Sequence, residues 1–236
     1  MPSEARMLRA APAAVPEPRT VELCVARPEV MQPAPTRRPA QLAGNVLVAA
    51  FFALLCASHV DWARVTGAWL RMAPLLLQEG LLVVLFLTRR AAVESSARAR
   101  DWTVAVAGVV LPLLLRPTPA PGRFADAGDA LQTAGVVLAI LALAWLGRRI
   151  GVVPANRGVA TAGPYRLVRH PAYAAYLVAY VGYVVSHPTA ANAALVAAWI
   201  AVTRLRASAE ERVLARDPEY ARYLARTRWR FVPGLY

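Results

Sequence analysis

Six apolar runs alternate with arginine-rich stretches along this chain, and that alternation predicts a set of membrane helices. The runs cover residues 42–60, 72–87, 102–115, 130–146, 172–186 and 190–202. A helix needs about 20 residues to span the hydrocarbon core, with about 17 as the lower end. The first and fourth runs meet that need, and the others require snorkelling flanks or a locally thin bilayer. Only His187, Pro188 and Thr189 separate the last two runs, so these form a tight helical hairpin. The fold class read from the pattern is all-α, a polytopic membrane helical bundle.

The pattern changes at both ends. Residues 1–40 are rich in Pro, Ala, Arg and Glu without periodicity, and read as a disordered cytoplasmic tail. The tail lacks the charged start and short apolar core of a secretory signal. Residues 41–129 then hold the N-terminal membrane helices, and 130–236 a membrane core with a polar C-terminal segment. Within that segment, residues 208–224 turn polar and helical, with Val213, Leu214, Tyr220, Tyr223 and Leu224 as the apolar positions. Asp217 is placed as an N-cap with Pro218 at the first helical position. This predicts a cytoplasmic amphipathic helix on the headgroups. Arg228, Trp229, Arg230 and Phe231 alternate as an interfacial anchor does.

Composition agrees. The 236 residues are 58% hydrophobic and 17% charged, with a mean hydropathy of +0.41, which excludes an ordinary soluble domain. The net charge is +13, and all 27 basic residues are arginine. Because they flank apolar runs, membrane lipids with anionic headgroups are the expected partner, not nucleic acid. With six spans and a cytoplasmic N-terminus, 23 arginines fall on the cytoplasmic side and 4 on the other. That predicts an integral membrane protein with both termini cytoplasmic. Cys24 and Cys56 lie in unrelated segments, and His59, His170 and His187 are far apart, so no disulfide and no metal site is expected. Glu79 is the one acidic residue well inside a run, which leaves open a helix-crossing hydrogen bond or a function. No internal repeat supports a transporter.

Two polar stretches carry the candidate chemistry. The first runs from Gly163 to Tyr173 and holds Tyr165, Arg166, Arg169, His170, Pro171 and Tyr173. Pro171 fits the first turn of a helix, leaving His170 at an N-terminus that favours an anion. The second holds Arg206, Glu210, Glu211 and Leu214. Closing the hairpin brings both to one membrane face. Glu210 and Glu211 point to different helix faces, so one can enter a pocket while the other pairs with an arginine. The competing reading is a purely structural salt-bridge cluster.

These stretches resemble the isoprenylcysteine carboxyl methyltransferase and phospholipid methyltransferase family of integral membrane enzymes. The matching positions are Gly163, Tyr165, Arg169, His170, Pro171, Tyr173, Arg206, Glu210, Glu211, Leu214, Tyr220, Tyr223 and Pro233. The resemblance covers about residues 130–236. It implies S-adenosylmethionine as methyl donor, held by Tyr165, Arg169, His170, Pro171, Tyr173, Glu210 and Glu211. It implies Arg206 as the catalytic residue that orients a lipophilic acceptor entering from the bilayer. That acceptor is a prenylated thiol or carboxylate, a phospholipid amine or a phenolic lipid. Three positions depart from the family. Ala175 replaces a frequent glycine. Residues 130–146 carry no charge, whereas members that methylate a prenylcysteine carboxylate hold an arginine there. Six runs replace about five. The competing class is a non-enzymatic scaffold or transporter, which S-adenosylmethionine would not stabilise.

Overall fold

In the computed structural model, residues 39–119 and 122–235 are described. The tail expected over residues 1–40 lies outside the described residues except for Pro39 and Ala40, and Cys24 lies outside them too. Helix α1 (Pro39–Thr66) and α2 (Trp69–Thr88) fold back on each other through a turn at Gly67 and Ala68. α3 (Ala99–Leu113) and α4 (Ala125–Leu146) follow, then α5 (Pro171–Ser186), α6 (Ala190–Leu214) and the short α7 (Pro218–Arg226).

Three of these helices, α1, α2 and α4, are long and apolar enough to cross a membrane. α5 is apolar but has 16 residues. α6 is long enough, with 25 residues, but its last three turns carry Arg204, Arg206, Glu210, Glu211 and Arg212. The apolar run and the charged motif are thus one continuous helix.

α5 and α6 are joined by residues 187–189, yet each arm packs chiefly on another helix: α5 on α4, and α6 on α3. The reason is side-chain size. A Cβ on Gly135 would fall on the backbone of Ala179, and one on Gly182 on the backbone of Gln132. Bare glycine backbone lets α4 and α5 approach closely. The other side of α5 carries Tyr173, Tyr176, Tyr180 and Tyr183, whose rings hold α6 away and face a cavity. Trp199 of α6 donates to Gly108 O of α3 at 3.1 Å and meets Tyr180 edge-on.

At the motif end, the loops are tied together. β1 (Glu94–Ser95) pairs antiparallel with β2 (Ala155–Asn156), joining the α2–α3 loop to the loop after α4. Asp217 caps α7 by accepting from Glu219 N, with Pro218 in the first turn. Tyr220 and Tyr223 of α7 are buried against Val159, with Leu214 and Leu224 beside them. The apolar side of α7 therefore rests on protein.

Candidate active site

The two polar stretches meet. Gly163 starts a single 3-10 turn, Gly163–Arg166, that leads toward α5. Its φ of +58° lies in the left-handed region, and a Cβ there would enter the Trp145 ring, so only glycine suits the position. Val168 bridges to Trp229, and the N–H groups of Arg169 and His170 donate to Trp229 O and Arg230 O, each at 2.9 Å. The C-terminal segment that composition reads as an interfacial anchor is thereby laid along the loop. Tyr223 also donates to Tyr165 O at 2.7 Å.

His170 is the hub. Its Nε2 lies 3.1 Å from Glu211 Oε1, and its Nδ1 lies 3.8 Å from Glu210 Oε2. The ring stacks on Tyr173 at 5.5 Å and leans on Phe231 at 5.7 Å. Tyr173 donates its hydroxyl proton to Glu210 Oε1. Glu211 is enclosed by cations: Arg230 Nη2 lies at 2.5 Å and Arg169 Nη1 at 3.5 Å. Burial raises the Glu211 carboxyl, but the hydrogen bonds from His170 and Arg230, with their charges, outweigh it and hold it at about 2.

A cavity of about 820 Å³ opens beside this hub. Tyr165, Arg169, His170, Tyr173, Arg206 and Glu210 line it; Glu211 and Pro171 do not. The two glutamates thus divide as neighbouring helix positions must, with Glu210 on the cavity and Glu211 behind His170. Pro171 starts α5 and aims His170. Arg206 is only 8% exposed. It donates to Val152 O at 3.0 Å, and its guanidinium carbon sits 5.4 Å from the Tyr173 ring centre. Its Nε is buried and unpartnered. A snorkelling arginine would reach out to solvent instead.

The cavity also holds two residues the motifs omit. Arg149 and Arg157 line it from the loop after α4. Arg149 Nε and both Nε and Nη1 of Arg157 are buried without a hydrogen-bond partner. Burial, helped by the charge of Arg89, lowers the Arg157 guanidinium to about 10. Unmatched N–H donors on buried cations fit a carboxylate or phosphate. Arg230 is the third omission.

A family model described as phospholipid methyltransferase matches residues 125–219. That stretch of the chain is similar to the phospholipid methyltransferase family. No curated protein matches the chain. The match runs from the start of α4 into α7 and contains every site residue expected from the motifs. It implies a membrane methyltransferase, in agreement with the apolar helices. α1, α2, α3 and Arg230 lie outside the matched stretch.

Proposed function

We propose that this chain is an S-adenosylmethionine-dependent methyltransferase of the membrane, acting on a small lipophilic acceptor. The observation that carries the reading is the shared cavity: His170, Tyr173, Glu210 and Arg206 line it together with the unmatched donors of Arg149 and Arg157.

The donor set suits the cofactor. S-adenosylmethionine has a carboxylate, an ammonium, ribose hydroxyls, adenine and a sulfonium that supplies an activated methyl group. The unmatched guanidinium N–H groups of Arg149 and Arg157 would take the carboxylate. Glu210 would take the ammonium or the ribose, and the faces of Tyr173 and Tyr176 suit a cation. His170 would hold its place through Glu211, which also positions Arg169. Arg206 would orient the acceptor, because it lines the cavity and its fork of N–H donors is anchored on Val152 and Tyr173. The apolar walls from Phe51, Phe52, Leu82 and Phe86 would receive the lipophilic body and keep water out. What remains for catalysis is alignment of nucleophile and methyl carbon, which proximity supplies. Both termini would face the cytoplasm, following the arginine asymmetry.

Calorimetric titration of the purified protein with S-adenosylhomocysteine tests the cofactor, and labelled methyl transfer into lipid extracts tests the acceptor. Saturable binding that His170→Ala weakens about tenfold is expected. Absence of binding would overturn the reading.

A further inference from the structure

The cavity has a second polar wall, outside the matched stretch. Gln78 and Glu79 of α2 line it, as do Ser58 and His59 of α1. His59 Nδ1 lies 2.9 Å from Glu79 Oε1. Glu79 Oε2 and Gln78 Oε1 are buried without a hydrogen-bond partner. Their residues are 4% and 8% exposed. A carboxylate within an apolar helix is costly and needs a partner. Here one oxygen has the imidazole and the other has no partner among the described residues. Both unmatched atoms on α2 are acceptors, so what fits against them is a hydrogen-bond donor.

The depth of this wall follows from helix register. Arg71 of α2 meets Asp129 of α4 at 3.7 Å. Leu85 and Phe86 share an apolar cluster with Leu143. Just past the two helix ends the Arg90 N–H donates to Arg148 O at 2.7 Å. The pairs 71–129 and 90–148 have the same offset, so α2 and α4 run parallel and Glu79 is level with Val137. Gly135 packs on Ala179 of the antiparallel α5, which places Val137 level with Leu177. Glu79 therefore lies about 6 Å along the axis from the level of Tyr173, one helical turn. Tyr173 is the ring over which the Arg206 guanidinium sits. The carboxylate is at the depth of the transfer site, in a wall of the same cavity.

We propose that Glu79, held by His59, is the subsite for the nucleophilic group of the acceptor, and that this group still carries its proton. The class is a phenol, thiol or amine on a lipophilic body. This rests on the methyltransferase reading above and narrows its acceptor. A carboxylate acceptor is disfavoured, because it brings a second negative charge to Glu79 and no hydrogen to share. The chemistry balances. The X–H bond breaks and the proton joins Glu79 Oε2. The electron pair left on X bonds the methyl carbon, and the pair of the carbon–sulfur bond stays on the sulfur of the sulfonium donor. His59 keeps Oε1 occupied, so Oε2 is the oxygen left to accept.

The test is binding of 4-octylphenol against 4-octylanisole, its methyl ether, which keeps the shape and loses the donor. Full-length protein in detergent is titrated with each probe, with and without S-adenosylhomocysteine, and read by tryptophan fluorescence. The phenol should bind about tenfold more tightly, the scale of one hydrogen bond to a charged group. Glu79→Gln should lose that preference and keep its S-adenosylhomocysteine affinity. Equal or undetectable binding of the two probes by the wild-type protein would overturn the proposal, as would a folded Glu79→Gln that keeps the preference. Should Glu79→Gln not fold, the wild-type comparison still decides, and octanoate binding as tightly as the phenol would also refute it. Failure to bind S-adenosylhomocysteine removes the methyltransferase reading alone, because the probe preference is measured without it as well.

Discussion

Glu211 and Glu79 are both buried carboxylates beside a histidine, and their surroundings are opposite. Glu211 accepts from His170 and Arg230 and faces Arg169, so both of its oxygens are engaged. Glu79 has His59 on one oxygen and no partner on the other. The first stands behind the cavity and holds a loop, a helix end and the C-terminal segment together. The second stands on the cavity. A saturated buried carboxylate acts as scaffold, whereas one left half satisfied on a cavity wall is a candidate for binding.

The largest effect should separate these two directly. Glu211→Ala leaves Arg169 and Arg230 without their shared counter-charge and should cost about 3–5 kcal/mol, as breaking buried ion pairs does. Glu79→Ala removes a single pair to a histidine whose side chain is 34% exposed, and should cost about 1 kcal/mol or less. Thermal unfolding of both variants in one detergent compares them. Equal losses would abolish the distinction.

The sequence carried the motif half of this contrast better than the other. His170 and the glutamate pair lie at the two ends of one helix–turn–helix unit, so connectivity puts them at the same end of the bundle, although α5 and α6 pack chiefly on other helices. Division of the glutamates between cavity and arginine follows from helix geometry, and Asp217 with Pro218 marks a helix start by its chemistry. Other features depend on tertiary structure. Arg149 and Arg157 look like the basic flank of a membrane helix, and long-range ties of their loop, the ribbon between residues 94–95 and 155–156 and the bonds from Arg206 to Val152 O and from Asn156 to Asp217, bring them to the cavity. Arg230 reads as an anchor until the backbone pairing at Arg169 and His170 brings it to Glu211. Each of the six apolar runs falls on a helix, and three of those helices are long and apolar enough to cross a membrane; α3 and α5 are shorter, and α6 continues into charged turns. The partner of Glu79 had a signal that run lengths hid. A turn at Gly67 and Ala68 pairs positions of α1 and α2 by reflection, and His59 falls close to the position opposite Glu79.

The arginine side of the cavity makes a prediction of opposite sign from Glu211. Arg157 is held below its ordinary range by burial and by Arg89, with two donors unmatched. Arg157→Ala should weaken S-adenosylhomocysteine binding by about 1–3 kcal/mol, tenfold or more. It should leave the unfolding temperature unchanged or raised, because a costly desolvated charge is gone. Calorimetry beside thermal unfolding reads both. A destabilised variant with wild-type affinity would make Arg157 a structural residue.

Arg206 lines the same cavity, and its substitution should act on turnover rather than on cofactor binding. Lysine keeps the charge and loses the planar fork that reaches Val152 O and the Tyr173 ring. Arg206→Lys should reduce turnover of any accepted lipid by about tenfold and leave cofactor affinity nearly intact. Steady-state methylation measured beside S-adenosylhomocysteine affinity checks this. Wild-type turnover would place Arg206 outside the site.

The smallest effect concerns acid. Hydrogen bonds from His170 and Arg230 overcome burial and lower the Glu211 carboxyl from the ordinary 4.5 to about 2. A carboxyl depressed on folding stabilises the native state fully above its unfolded value, and that contribution is lost as pH falls toward its folded value. The window therefore runs from about 4.5 down to about 2. At pH ~4 the loss should still be below about 1 kcal/mol, because that pH lies only about half a unit below the unfolded value and the loss grows by at most about 1.4 kcal/mol per pH unit. Glu211→Gln removes the titrating group and with it this slope. Thermal unfolding of wild type and Glu211→Gln between about pH 6 and pH 4 should show the gap between them narrowing as pH falls, with wild type losing the ground. A constant gap across that range would mean that Glu211 is not held down by its partners, and its contrast with Glu79 would then rest on geometry alone.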